Sequence, residues 1–254
     1  MFLVKKMELE DFPFAVELGN TMNWNMAASD FDLSLKLEPG GCLVLFDNSE
    51  RIGIATCISY GSTGWFGNLA IEETHRKRGA GTFLVENALS YLRGKGVATI
   101  GLYAYPHLVN FYGKIGFKPD VEFDVLETDS ISAPFLANIE PNLKQYNNQD
   151  ISRIVNFDAA YFGVSRRKLL ESLLGDKNNL CYSVTEGNVL LGYVVAKVFE
   201  GTAEVGPLIC TRNRIEVAES LLKAVLSRLQ GFEAFLYLPK TETKILDIAA
   251  KAGF

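Results

Sequence analysis

The chain has 254 residues, 22% charged and 48% hydrophobic, with a net charge of -5. That length holds one large core or two ordinary ones, and the acidic balance argues against nucleic acid as a partner. No apolar run approaches the roughly 20 residues that span a bilayer, and four cysteines without a Cys-x-x-Cys or Cys/His cluster point away from metal and toward a reducing cytoplasm.

At the N-terminus, Lys5 and Lys6 follow the apolar Phe2-Leu-Val and are succeeded by Glu8 and Glu10, which is not the order of a signal peptide. Trp24, Tyr60 and Trp65 read either as core aromatics or as the walls of a pocket. Ser29-Asp30 reads either as a helix N-cap or as an anionic spot for a cationic substrate. Residues 68–71, Asn-Leu-Ala-Ile, read as a strand, and the acidic Glu72-Glu73 follows it. Arg76-Lys77-Arg78-Gly79-Ala80-Gly81-Thr82 then forms a basic glycine turn. From Thr82 to Arg93 the residues Leu84, Val85, Ala88, Leu89 and Leu92 share one face, which is helical spacing. A helix N-terminus carries unpaired N–H groups and the positive end of the dipole. Glycines let an anion reach those amides, and three cations add attraction, so the segment predicts a phosphate or diphosphate site. It is neither the Gly-x-x-x-x-Gly-Lys-Ser/Thr triphosphate loop nor the Gly-x-Gly-x-x-Gly dinucleotide turn.

Gly94 and Gly96 close that helix. Residues 97–103 read as a buried strand, Pro106 opens a second helix running to about Ile115, Gly116 stops it, and Phe117 begins a further strand.

Arg76-x-x-Gly79-x-Gly81 and Tyr112-x-x-x-Gly116-Phe117 resemble the two signatures of the GNAT N-acetyltransferase superfamily. The resemblance implies an α/β (α+β) fold, with a mixed, mostly antiparallel central sheet flanked by helices. It implies acetyl-CoA as acyl donor. Leu69, Ala70 and Ile71 would pair with the pantetheine arm, and Arg76, Lys77, Arg78, Gly79, Ala80, Gly81 and Thr82 would hold the pyrophosphate. Tyr112 would protonate the leaving thiolate. Where the family often has Asn, Tyr105 stands here. An acceptor amine must be neutral to attack, which costs a lysine-like amine about 4.6 kcal/mol at pH 7. Glu72, with Glu73 beside it, is the nearest carboxylate in sequence to take that proton; both also read as turn acids beside the cations. The expected function is acetyl transfer to a primary amine, of a small molecule or a lysine side chain. The alternative is a non-catalytic acyl-CoA sensor.

Shifted by 137 positions, the second half falls on the first: Lys114-Ile-Gly-Phe117 over Lys251-Ala-Gly-Phe254. Upstream the shift becomes 139, with Arg51-Ile-Gly-Ile54 over Leu190-Leu-Gly-Tyr193, and the two-residue change is expected between Gly53 and Asn68, in a shortened hairpin. The repeat predicts a donor-binding domain at 1–126, a linker at 127–148, and a second domain at 149–254 whose last strands are absent or supplied by the linker. In the copy, Gly79 and Gly81 become Glu216 and Ala218, and Tyr112 becomes Ala249. An intact domain followed by a degenerate one resembles the tandem GNAT proteins. Asp158 with Phe162-Gly-x-x-Arg166 is part of that resemblance. Arg166 and Arg167 are candidates to reach an acceptor across a domain interface, and His107 reads as a helix-surface residue.

Overall fold

The computed structural model describes residues 1–132, 142–146 and 151–254. The chain forms two compact units, Met1–Lys118 and Pro119–Phe254. In the first unit the elements are β1 (Phe2–Lys6), α1 (Phe12–Asn20), α2 (Ala28–Leu37), β2 (Cys42–Asp47), β3 (Glu50–Tyr60), β4 (Thr63–Ile71), α3 (Ala80–Gly94), β5 (Thr99–Gly101) and α4 (Val109–Lys114). They make a five-stranded sheet in chain order, antiparallel throughout except for the parallel pair β4–β5. β2 and the middle of β3 are continuously buried, because both sheet faces are covered. Leu84, Val85, Ala88, Leu89 and Leu92 of α3 pack with Phe66, Ile71 and Tyr112 on one face. Phe12, Ala15 and Phe31 of α1 and α2 pack with Val44, Ile54 and Ala70 on the other.

The second unit contains β6 (Phe123–Thr128), β7 (Leu143–Gln145), α5 (Ile151–Phe162), α6 (Arg167–Gly175), β8 (Leu180–Glu186), β9 (Val189–Phe199), β10 (Thr202–Cys210), α7 (Ile215–Arg228), β11 (Glu233–Pro239) and α8 (Thr243–Lys251). Its sheet order is β6-β11-β10-β9-β8-β7, with β10–β11 the parallel pair. Each unit is therefore a mixed, mostly antiparallel sheet flanked by helices.

Several elements differ from the sequence reading. The strand expected at 97–103 shrinks to Thr99–Gly101, since β5 pairs only over three residues of β4. The helix from Pro106 splits into a 3-10 turn, Pro106–Leu108, and α4. No strand starts at Phe117. Instead Phe123–Thr128 pairs antiparallel with β11, so the units divide between Lys118 and Pro119 rather than after residue 126. Residues 127–148 are not simply a linker, because β6 and β7 both belong to the second sheet; residues 133–141 and 147–148 of that span lie outside the described residues.

The two-residue change in the repeat also moves. Gly53 pairs with Ile71 and Gly192 with Cys210, so the offset of 139 persists to the end of β4 and β10. Buried Leu84, Val85, Ala88 and Leu89 correspond to buried Leu221, Leu222, Val225 and Leu226, an offset of 137. The contraction thus falls between strand and helix, in the stretch that holds the basic glycine turn, because the two hairpins keep equal length.

One buried group escaped the sequence reading. The Glu38 carboxylate accepts the Tyr91 hydroxyl at 2.6 Å and the Ser59 N–H at 3.0 Å, with Lys95 Nζ at 3.7 Å, tying the end of α2 to β3 and α3. Glu38→Ala leaves those donors without their anion. It should lower the stability of the first unit by about 3 kcal/mol, read in urea through the fluorescence of Trp24 and Trp65, the chain's two tryptophans. Burial also pushes the thiols of Cys42, Cys57 and Cys181 up from 9.0 to about 12. The neutral thiols contribute stability that is complete below pH 9 and lost as pH rises through 9 toward 12. Thermal unfolding followed against pH should show Tm falling across that window, and less steeply in Cys57→Ala.

Candidate active site

The site begins where β4 leaves β5. Parallel pairing covers Thr63, Gly64 and Trp65 and stops at Trp65–Gly101. Against β3 the register slips between Ile54 and Thr56, so β4 carries one extra residue. Asn68 takes the bulge at φ +51°, a left-handed conformation that asparagine tolerates, and its amide donates to Thr56 Oγ1 at 3.1 Å. Residues 69–71, the expected pantetheine-pairing stretch, thus lie on a bulged strand end beyond the last β5 pair.

After Ile71 the chain turns. The Glu72 N–H donates to the Ile52 carbonyl at 2.9 Å, and one 3-10 turn spans Glu73–His75. Arg76 folds back: its Nε donates to the Ile71 carbonyl at 2.8 Å and its Nη2 lies 3.5 Å from Met22 Sδ. It fastens the turn to the strand end, while Lys77 and Arg78 stay exposed. Gly79 sits at φ +84° and precedes α3, with no side-chain cap. The first intrahelical bond of α3 is Phe83 N–H to the Gly79 carbonyl, 2.9 Å. The preceding amides of Ala80, Gly81 and Thr82 therefore have no intrahelical acceptor. A Cβ on Gly79 would meet nothing within 4 Å, so the position opens onto free space in front of the helix. A Cβ on Gly81 would meet Phe111 at 3.6 Å and Ile71 at 3.8 Å, ordinary contacts. The backbone demands glycine at 79, therefore, and not at 81. Those contacts also bring the end of β4, the start of α3 and α4 together. Between α3 and α4 runs a cleft of about 360 Å³ lined by Thr82, Glu86, Leu89, Phe111 and Lys114.

Tyr112 stands on α4, buried against Phe66, Phe111 and Phe117 with ring centroids 6.5, 5.0 and 5.8 Å away. Burial pushes its hydroxyl up from 10.0 to about 12, so it carries its proton at neutral pH.

The candidate acceptor residues separate. Trp24 Nε1 donates to the Tyr105 hydroxyl at 3.0 Å, joining the α1–α2 connection to the loop after β5. Trp65 meets Tyr103 edge-on at 5.2 Å, and His107 stacks on Tyr105 at 5.7 Å. Tyr60 is buried core. The Asp30 carboxylate accepts the Ala27 N–H at 2.9 Å and so closes the first turn of α2, which starts at Ala28. Arg166 belongs to the second unit's interior. It binds both oxygens of the fully buried Asp158, at 3.0 and 2.5 Å, beneath a Tyr193 hydroxyl bond of 2.6 Å. Its guanidinium also lies over Phe162, 4.1 Å from the ring centroid. Arg167 pairs with Glu171 one helical turn on.

In the second unit the equivalent helix start carries a carboxylate. Glu216, the counterpart of Gly79, is hydrogen-bonded by Arg214 and by its own backbone N–H, and both hold its carboxyl below the usual range. A carboxylate already occupies the start of α7. Only the glutamate was visible in sequence; its bond to its own amide needed the fold.

Residues 4–117 match the model of the acetyltransferase (GNAT) family and residues 154–254 that of a GNAT acetyltransferase domain. The chain belongs to the GNAT acetyltransferase family. It carries two GNAT units in tandem. A Pyrococcus horikoshii protein assigned as an acetyltransferase superposes with a TM-score of 0.78 at 21% identity, over 98% of this chain and 83% of that one. A tandem GNAT protein from the clavulanic acid biosynthesis pathway superposes with a TM-score of 0.66 at 13% identity, over 100% of this chain and 95% of that one. At such identities these are likenesses of fold. Serotonin N-acetyltransferase 2, chloroplastic, from Oryza sativa subsp. japonica is 40% identical over 53 residues, 21% of this chain and 26% of that protein.

The expectation that the basic glycine turn holds the donor's pyrophosphate is testable by calorimetry with CoA. Gly79→Glu puts a side chain and a like charge before the helix amides and should weaken CoA binding at least 100-fold. Gly79→Ala, which meets only the left-handed strain of about 1 kcal/mol, should weaken it far less.

Proposed function

We propose that the first unit transfers an acetyl group from acetyl-CoA directly to a primary amine, of a small molecule or a lysine side chain. The observation that carries this reading is an uncapped helix start at Gly79, on a helix whose apolar face shares one core with a tyrosine that keeps its proton. The Ala80, Gly81 and Thr82 amides, with Lys77 and Arg78, hold the donor's pyrophosphate; charge-assisted backbone bonds of this kind are worth about 1.5–3 kcal/mol each. Leu69, Ala70 and Ile71 offer backbone to the donor's amide-bearing arm. Arg76 shapes the turn from behind through its bond to Ile71. Tyr112 donates its proton to the departing thiolate.

The amine proton leaves toward Glu72, half-buried at the end of β4. Only the first unit binds the donor, because Glu216 fills the corresponding helix start and Ala249 replaces the tyrosine. The free cysteines fit a cytoplasmic setting. No helix among the described residues is long and apolar enough to cross a membrane.

A thiol-release assay with acetyl-CoA and a panel of amines tests the reaction. Turnover is expected with at least one primary amine, and silence across the panel with acetyl-CoA bound would overturn it. In Tyr112→Phe, kcat should fall about 100-fold with acetyl-CoA affinity kept. Because the hydroxyl is pushed up to about 12, wild-type kcat should lose nothing to Tyr112 ionisation between pH 7 and 10.

A further inference from the structure

The donor turn, Tyr112 and the α3–α4 cleft all lie on the α3 side of the first sheet. A Cβ on Gly64 would meet Val97 at 2.9 Å and Leu92 at 3.1 Å, which marks that side. Alternation along β4 sends the next residue, Trp65, to the opposite face, and Phe66 returns to the α3 core. Trp24 packs with the α1–α2 core on that opposite face. There the two tryptophans each meet a tyrosine from the loop after β5: Trp24 with Tyr105 and Trp65 with Tyr103. Tyr103 and Tyr105 remain 53% and 43% exposed.

Resting on the acetyltransferase reading above, we infer that the acceptor is an arylalkylamine, its ring held among Trp24, Tyr105, Trp65 and Tyr103. The acceptor approaches β4 from the face that the donor does not occupy, where Trp65, three residues before the bulge at Asn68, meets Tyr103. The Trp24 N–H is spent on Tyr105, so Trp24 offers a ligand ring surface and no hydrogen bond. Asp30, the carboxylate best placed in sequence to draw a cationic acceptor, holds the Ala27 N–H at the start of α2. A planar ring meeting aromatic faces and edges gains beyond its buried area, whereas the alkyl stem of a lysine has no ring to make those contacts.

The test is steady-state kinetics of the full chain with acetyl-CoA and tryptamine, phenethylamine, n-butylamine or a lysine-bearing tripeptide. kcat/KM should be at least about 10-fold higher for the two aromatic amines. Trp24→Ala should raise KM for tryptamine about 10-fold while the Kd of acetyl-CoA stays within twofold, and Trp24→Phe should recover part of the loss. Equal use of n-butylamine or the tripeptide, or an unmoved KM for tryptamine in Trp24→Ala, would overturn the inference. If no amine is turned over, the acetyl-transfer reading has failed. Calorimetry of tryptamine against the CoA-loaded chain then decides the ring site: binding weakened by Trp24→Ala upholds it, and absence of binding removes it.

Discussion

The candidate site of the first unit is organised around the divergence of β4 from β5. Parallel strands joined through a helix pair only as far as their twist and register allow, and here pairing lasts for Thr63, Gly64 and Trp65. Asn68 then adds a residue to β4, which bends the strand and turns its last residues away. The same bend sets the direction of the turn that follows, and so the place where α3 starts. Tyr112 comes in from α4 on one side, and the rings of Trp24 and Tyr105 lie on the other.

The second unit serves as an internal comparison for that arrangement. β9 and β10 keep the register of β3 and β4, including a slip at the matching place, between Val205 and Leu208. Folding therefore retains the bulge without a basic glycine turn. What distinguishes the copies is the connection beyond it, two residues shorter and leading into a helix whose second residue is Glu216. There the Glu216 carboxylate meets Arg214 and its own backbone N–H, while a side chain at Gly79 in the first unit would meet only open space. The sheet and helix that flank this connection are kept in both units, while the connection itself and the residue at the Tyr112 position, Ala249 in the copy, differ.

Charge is distributed with the same economy. The chain is acidic, yet Arg76, Lys77 and Arg78 are consecutive, and one of the three is structural. Arg76 donates to a strand-end carbonyl and contacts Met22, so it holds the turn against the end of β4. In the second unit Arg166 is likewise consumed internally, by a carboxylate with no solvent exposure. Breaking such a pair leaves a buried charge, at a cost of about 3–5 kcal/mol, which explains why Asp158 and Phe162-Gly-x-x-Arg166 form one recognisable motif.

The sequence by itself determined the units' kinship, the apolar face of α3, the basic glycine turn and Tyr112, since periodicity, glycine placement and repeat spacing are local properties of the chain. Asn68 left a local trace too, as an asparagine inside an apolar strand. Tertiary structure alone decided that β6 pairs with β11, because strand partnership is set by which sheet edge lies within reach. It decided that Asp30 closes a helix turn and Arg166 a buried pair, because a charged side chain takes the nearest unsatisfied partner, which sequence spacing does not reveal. It also decided that Trp24 meets Tyr105 across 81 positions of chain, since only the fold brings two loops to the same opening.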